Sequence, residues 1–395
     1  MKILIIGYCP QRFMNPVANE LQKKGHVVDL FSFRTFDLTD QERSYYDQVI
    51  NGMPSFNRWS KFANFISGSF LYGYWMVKFL LQNRTMSLSD RFSCLLKGLA
   101  NHPHAGPLRQ YDLINIQMMA PMDAFFPFLS DKSKLVCSYW GSDLLQASWV
   151  DLNKQKKWLL RADRITVQSD ELKMTLLKKH EPKILKRKIH QTLYPTNQSI
   201  VQTIINRKAD QQTNVEINIT IGYNASDNQN HLLILNQIDK LPLALKAKSK
   251  LYLQLSYGGT EAYINSVLTK LESIGVEYET NRSFITDEQM ALKRLSSDIF
   301  IHLPKTDAFC AALSESLVAQ NIVITGQWLP YSLYDQNKVN IYKLQSINEL
   351  AGRLESVLLN IAQEKQDVLS NTAKVLEIID HKKAVNNWVS ILENV

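Results

Sequence analysis

The sequence predicts an α/β protein made of two doubly wound parallel-sheet domains. Three observations predict it. At 395 residues the chain is too long for one ordinary core and suits two of about 150–200 residues each. Its first thirty residues read strand, turn, helix, strand. The same alternation restarts after residue 216.

The opening run KILIIG (2–7) is continuously apolar and β-branched, as a parallel strand buried on both faces requires. PVANELQKKGH (16–26) has helical spacing, Pro at its start and Gly near its end. VVDLFSF (27–33) completes a βαβ unit. The turn holds one glycine, Gly7, which lets the chain pass close to a phosphate or acceptor. The dinucleotide pattern G-x-G-x-x-G is absent, so neither NAD nor FAD is expected.

YDLINIQMMAP (111–121), SKLVCSYWGSDLL (133–145) and ADRITVQS (162–169) continue the strands of the first half. Residues 196–216 are polar, lack a long apolar run and read as a linker. Strand and helix patterns then resume: INITIGYNASDNQNHLLILNQI (217–238), SKLYLQLSYGG (249–259), DIFIHLP (298–304), DAFCAALSESLVAQ (307–320) and NIVITG (321–326). The expected domains are 1–195, which would bind the acceptor, and 217–375, which would bind the donor. Residues 376–395 are a C-terminal helix expected to pack back on the first domain.

Composition narrows the class. Apolar residues make up 45% and charged residues 21%, as in a soluble globular protein rather than a disordered one. The four cysteines, Cys9, Cys94, Cys137 and Cys310, are scattered, so no disulfide framework or zinc site is expected. MKILIIGYCP lacks the long apolar region of a signal peptide, which points to the cytoplasm. Residues 1–195 carry 27 Lys and Arg against 16 Asp and Glu, whereas residues 196–395 carry 18 against 21. The basic half suits an anionic partner or is simply a solvated basic surface.

Residues 54–100 are both aromatic and basic. Between Lys61 and Lys78 lie sixteen uncharged residues, FANFISGSFLYGYWMV, including Asn64, two Ser and two Gly. That is short of the roughly 20 apolar residues of a bilayer span. Trp, Tyr and Lys suit the headgroup level, so peripheral contact with the inner face of a membrane through 55–97 stands beside two ordinary packed helices.

Chemistry concentrates at Asp307 and Glu315, two acids separated by seven residues on a helix that follows an apolar strand. A sugar nucleotide offers a diphosphate and hydroxyls. Free N–H groups at a helix N-terminus bind the first without a metal, and carboxylates accept hydrogen bonds from the second. SFITDEQMALKRLSSDIFIHLPKTDAFCAALSESLVAQNIVITG (283–326) resembles the C-terminal domain of GT-B glycosyltransferases, especially the retaining family 4 type. YWGSDLL (139–145) and ADRITVQSDELKMTLLKK (162–179) resemble that family's N-terminal domain. GYNASDNQNHLLIL (222–235) is similar to the turn of bacterial transferases acting on lipid-linked amino-sugar precursors.

The resemblance implies two Rossmann-like domains facing a central cleft. It puts the diphosphate on the amides of Phe309, Cys310 and Ala311, the ribose on Glu315 and the donor-sugar hydroxyls on Asp307. Gly222, Tyr223, Asn224, Ser226 and His231 line the matching first turn, with Tyr257, Gly258 and Phe284 in the next loops. The family usually places an Arg and a Lys on the diphosphate from that turn. Here Asn and Ser donors or His231 take their place, Lys305 is a spare cation, and His231 reads equally as a core or surface histidine. Gln117 stands where the family often has a His. Asp143 is the acceptor-side acid, orienting a hydroxyl or acting as base, or else it caps the helix that follows.

The implied activity is transfer of a hexosyl or N-acetylhexosaminyl group from a UDP-, GDP- or TDP-sugar to a cell-envelope polysaccharide or lipid-linked glycan. Asp143, Asp307 and Glu315 are the catalytic acids. No metal or other cofactor is required, because the leaving diphosphate can accept the acceptor's proton while the protein positions and stabilises charge. Rivals are a non-catalytic GT-B subunit that assists a partner enzyme and a sugar-nucleotide 2-epimerase. No nucleic-acid-binding module is recognised.

Overall fold

The computed structural model describes residues 1–7, 12–33, 38–51, 58–82, 86–101, 106–119, 125–207 and 216–395. The chain forms two compact units, Met1–Pro195 with Lys382–Val395, and Thr196–His381.

The first unit holds a seven-stranded parallel sheet: β1 (Lys2–Gly7), β2 (Val27–Ser32), β3 (Gln48–Asn51), β4 (Leu113–Gln117), β5 (Lys134–Ser138), β6 (Arg164–Val167) and β7 (Ile189–Gln191), in the order β3-β2-β1-β4-β5-β6-β7. Helices cover its faces, which is why β1 reads as a continuous apolar run rather than an alternating one. Ile3, Ile5, Met14, Leu21 and Leu113 share one core with Trp388, Val389 and Leu392 of the helix His381–Glu393. Trp388 is fully buried, and its indole N–H donates to the Leu193 carbonyl at 3.0 Å.

Residues Arg58–Gln82 and Leu88–Ala100 form two helices that pack on each other. A row of large apolar side chains on the longer one faces solvent: Phe62, Ile66, Phe70 (87% exposed), Tyr74 (75%), Val77 and Leu81. Among the described residues, no helix is long and apolar enough to cross a membrane.

The second unit holds a six-stranded parallel sheet: β8 (Ile217–Ile221), β9 (Ser249–Gln254), β10 (Glu277–Asn281), β11 (Ile299–His302), β12 (Ile322–Gly326) and β13 (Tyr342–Leu344), in the order β10-β9-β8-β11-β12-β13. Each sheet therefore grows outward in one direction from its first strand and then reverses. The reversals fall between β1 and β4 and between β8 and β11. In such sheets ligands bind beyond the carboxyl ends of the strands at the reversal.

The supposed linker is different. Gln198–Arg207 is a helix of the second unit whose Ile200, Val201 and Ile204 pack against Leu313, Leu317 and Val318. Three apolar residues spaced along one face bury a helix in an otherwise polar stretch. Residues 208–215 of that stretch lie outside the described residues. The C-terminal region is four helices, Leu350–Leu359, Ile361–Asp367, Asn371–Ile378 and His381–Glu393. The change of unit falls at 381/382, not at 375/376.

Candidate active site in the second unit

Beyond β8 the chain turns at Gly222 (φ +61°), whose N–H donates to the Ile301 carbonyl of β11 at 3.0 Å. A Cβ there would lie 3.0 Å from Gln229 Oε1 and 3.1 Å from His231 Nε2, so this is a position where glycine is required. Asn224 Oδ1 accepts from Ser226 N–H (2.9 Å), and Ser226 Oγ accepts from Asn228 N–H (3.3 Å). Asn228 then reaches the loop after β11. Its Nδ2 donates to the Thr306 carbonyl (2.8 Å), its Oδ1 accepts from Thr306 N–H (3.2 Å), and its carbonyl accepts from Lys305 N–H (2.8 Å). Asn230 adds a bond to the Leu303 carbonyl (2.8 Å). The two loops at the sheet reversal are thus stitched together.

The loop after β9 joins them. Ala225 N–H donates to the Tyr257 carbonyl (2.7 Å), and a Cβ on Gly259 would fall 2.4 Å from the Ala225 carbonyl oxygen. Gly258 has φ +84°. Tyr257 stacks on Phe284 with centroids 5.7 Å apart and planes 9° apart, and Phe284 is 79% exposed.

The helix Ala311–Val318 starts with Cys310 in the N-cap position and no side-chain cap, so no cap oxygen covers its first turn. Just before it, Asp307 Oδ1 accepts from Ala308 N–H at 2.7 Å. Asp307 Oδ2 lies 2.7 Å from His302 Nε2 and 3.1 Å from the Tyr331 hydroxyl, which is also 2.9 Å from His302 Nε2. Phe309 stacks on Tyr334 (5.3 Å, 24°). Burial, with the Asp307 charge second, pushes the Tyr331 and Tyr223 hydroxyls and the Cys310 thiol well above their usual range, so all three stay protonated.

Several expected roles change. Glu315 is buried, and its Oε2 pairs with Arg294 Nε at 3.2 Å; burial raises its pKa and Arg294 opposes the rise. Lys305 Nζ pairs with Asp227 at 2.9 Å on the surface, an exposed pair of small strength. His231 is a core histidine: fully buried, with Nδ1 3.3 Å from the Tyr263 hydroxyl and Nε2 unpartnered among the described residues. Burial pushes its pKa down to about 4, so it is neutral near pH 7 and cannot replace an Arg or Lys on a diphosphate.

In the first unit Asp143 is a backbone clamp rather than a free base. Its Oδ1 accepts from the N–H groups of Trp140 (2.9 Å) and Gly141 (2.8 Å), and its Oδ2 accepts from Met119 (2.8 Å). The helix Ser142–Leu145 has Gly141, not Asp143, at its N-cap. Gln117 Oε1 accepts from Trp140 Nε1 (2.9 Å) and the Tyr194 hydroxyl (2.8 Å). Gly7 is a strand residue paired with Ser32; residues 8–11, the rest of its turn, lie outside the described residues.

Sequence reasoning missed His302, Tyr331 and Arg294. The one signal was an imidazole in an otherwise apolar parallel strand, IFIH, where a buried polar side chain needs a partner. Among the described residues, His302, Asp307 and Cys310 form a group whose possible metal-ligand atoms lie within 4.8 Å of one another. The 2.7 Å His302–Asp307 separation is that of a direct hydrogen bond. Ligands about 2.0–2.2 Å from a tetrahedral zinc sit roughly 3.4 Å apart, so these two would have to separate.

No protein-family model matches this sequence, and no curated protein matches it. Solved structures do. A glycosyltransferase from Rickettsia africae ESF-5 matches at TM-score 0.69 and 13% identity, over 100% of this chain and 98% of that one. Anabaena Alr3699/HepE, solved in complex with UDP and glucose, matches at TM-score 0.69 and 12% identity over all of both chains. WaaG, a glycosyltransferase involved in lipopolysaccharide biosynthesis, matches at TM-score 0.63 and 12% identity over all of both chains. The fold is GT-B. At these identities the likeness concerns the fold, and within it the loops after β8 and β11 flank the sheet reversal.

Proposed function

We propose that this protein is a glycosyltransferase that takes a sugar from a nucleotide-sugar donor, held in the second unit by the loops after β8, β9 and β11. The observation that carries the reading is the uncapped start of Ala311–Val318 beside Asp307 at the sheet reversal, on a fold whose solved examples include a complex with UDP and glucose. The first-turn amides suit a diphosphate and Asp307 suits a sugar hydroxyl. The stacked Tyr257 and exposed Phe284 offer the base an aromatic face.

The finer reading is a retaining, family 4-like enzyme transferring a hexosyl or N-acetylhexosaminyl group to a cell-envelope or lipid-linked glycan. The first unit binds the acceptor, and the apolar row on Arg58–Gln82 brings the protein to a membrane's inner face. A thermal-shift screen of UDP, GDP, TDP and their sugars, followed by a donor-hydrolysis assay, tests it. One nucleotide class should raise the melting temperature and its sugar form should be hydrolysed. Absence of both refutes the reading.

A second reading is a non-catalytic GT-B subunit. It is favoured by two specific observations: Asp143 is committed to backbone N–H groups, and His231, buried and neutral near pH 7, supplies no cation for a diphosphate. Tight binding to a partner transferase without any nucleotide binding would select it.

A further inference from the structure

The Asp307 carboxylate has about four lone-pair sites. Three are filled. Oδ2 receives His302 and the Tyr331 hydroxyl, and Oδ1 receives Ala308 N–H. The remaining site is on Oδ1. The three side chains also differ in access: Asp307 is 13% exposed, whereas His302 and Tyr331 are fully buried behind it.

His302 is held on every side. Its ring stacks on Phe300 (5.6 Å, 17°), Tyr223 lies across it (5.8 Å, 31°), and its carbonyl accepts from Thr325 Oγ1 (2.8 Å). Among the described residues its Nδ1 is buried without a partner. With no acceptor beside Nδ1, Nε2 is the ring nitrogen placed to donate, and it faces Asp307 Oδ2 at 2.7 Å. Tyr331, kept protonated, donates the second.

We propose that His302 and Tyr331 are positioning residues that make Asp307 a reader of a single hydroxyl on the donor sugar. The proposal rests on the nucleotide-sugar reading of this site. It differs from a bidentate carboxylate clamp on a diol: one oxygen is consumed from behind, and the other offers one free direction. A clamp of that kind sets which hydroxyl, and which epimer, is accepted, and it contributes nothing to the nucleotide.

The test is calorimetric, on the full chain. UDP, GDP and TDP are titrated alone and as their glucose, galactose and mannose forms into wild type, Tyr331→Phe, His302→Gln and Asp307→Asn. Far-UV circular dichroism and the melting temperature of each variant report folding. The nucleotide diphosphate should bind all four proteins within about twofold. The extra affinity contributed by one sugar epimer should fall by roughly 10- to 150-fold in each variant, as expected for one lost hydrogen bond to a charged group. Tyr331→Phe removes only a hydroxyl and keeps the ring, so it serves if His302→Gln does not fold. Equal losses for diphosphate and sugar form would mean a merely structural cluster and overturn the proposal. So would unchanged discrimination among epimers. Failure of wild type to bind any of the nucleotides refutes the donor reading itself, and this proposal with it.

Discussion

Arg294 Nε lies 3.2 Å from Glu315 Oε2, and both side chains are almost entirely withdrawn from solvent. Removing one partner of such a pair strands the other as an uncompensated buried charge. Glu315→Ala or Arg294→Ala should each cost about 3–5 kcal/mol, read as a lower urea midpoint, while the double change Arg294→Met with Glu315→Leu should recover most of that loss. An additive double variant would contradict the coupling. Glu315→Ala alone is therefore a poor probe of chemistry, since lost activity in it reports lost folding as well.

The histidine at 231 sets a pH dependence. Burial lowers its folded pKa from 6.5 to about 4, so the unfolded chain binds the proton more readily. The stability it contributes is full above pH 6.5 and is lost as pH falls through about 4. The size is on the order of 3 kcal/mol. His231→Gln should flatten the stability profile in that window relative to wild type, measured by denaturant unfolding at pH 7, 5.5 and 4. His180, also pushed down to about 4 by burial with Lys156 and Lys179 nearby, acts in the same window and remains in the variant.

Phe284 stacks on Tyr257 yet stays exposed, so Phe284→Ala should move stability by no more than about 0.5 kcal/mol. If the pair receives the base, nucleotide affinity should drop by roughly 5- to 30-fold, the worth of one base–aromatic stack. Calorimetry with the free nucleotide checks this. An unchanged dissociation constant would move the base elsewhere.

The row Phe62, Ile66, Phe70, Tyr74 and Val77 should govern membrane contact. Phe70→Glu with Tyr74→Glu should reduce flotation with anionic vesicles by about tenfold or more, without changing the melting temperature. Equal flotation of both proteins would remove the membrane from the description.

Legibility in the sequence followed burial. Strands β1, β11 and β12 are rich in consecutive buried apolar residues, as a parallel strand covered on both faces tends to be, and β4, β5, β8 and β9 hold enough of them to be read despite Asn115, Gln117, Asn218 and Lys250. The strands β3, β7 and β13 are three or four residues long at or near sheet edges, and so short a run carries no periodic signal. In the site, Asp307 was found because an acid after a strand and before a helix is a local pattern. Its partners His302 and Tyr331 were not, since Tyr331 lies 24 residues on and meets Asp307 only through the packing of β11 beside β12. Asp143 was singled out for the same local reason as Asp307. Whether such an acid faces a ligand or its own backbone is decided by loop geometry, which no spacing rule contains.

Trp388 and Leu392, with Val385, Val389 and Ile391 of the same helix, complete a core whose remaining buried members lie before residue 195. On the ribosome this inverts the usual order. The second unit, Thr196–His381, is one continuous stretch and can close as soon as it emerges. The first unit is begun earlier but waits for its last helix. At about 5–20 residues per second, the interval between Pro195 and Trp388 is roughly 10–40 s. Through that time the core that Trp388 and its helix complete stays open, so the newborn chain offers chaperones an apolar surface that the folded unit buries.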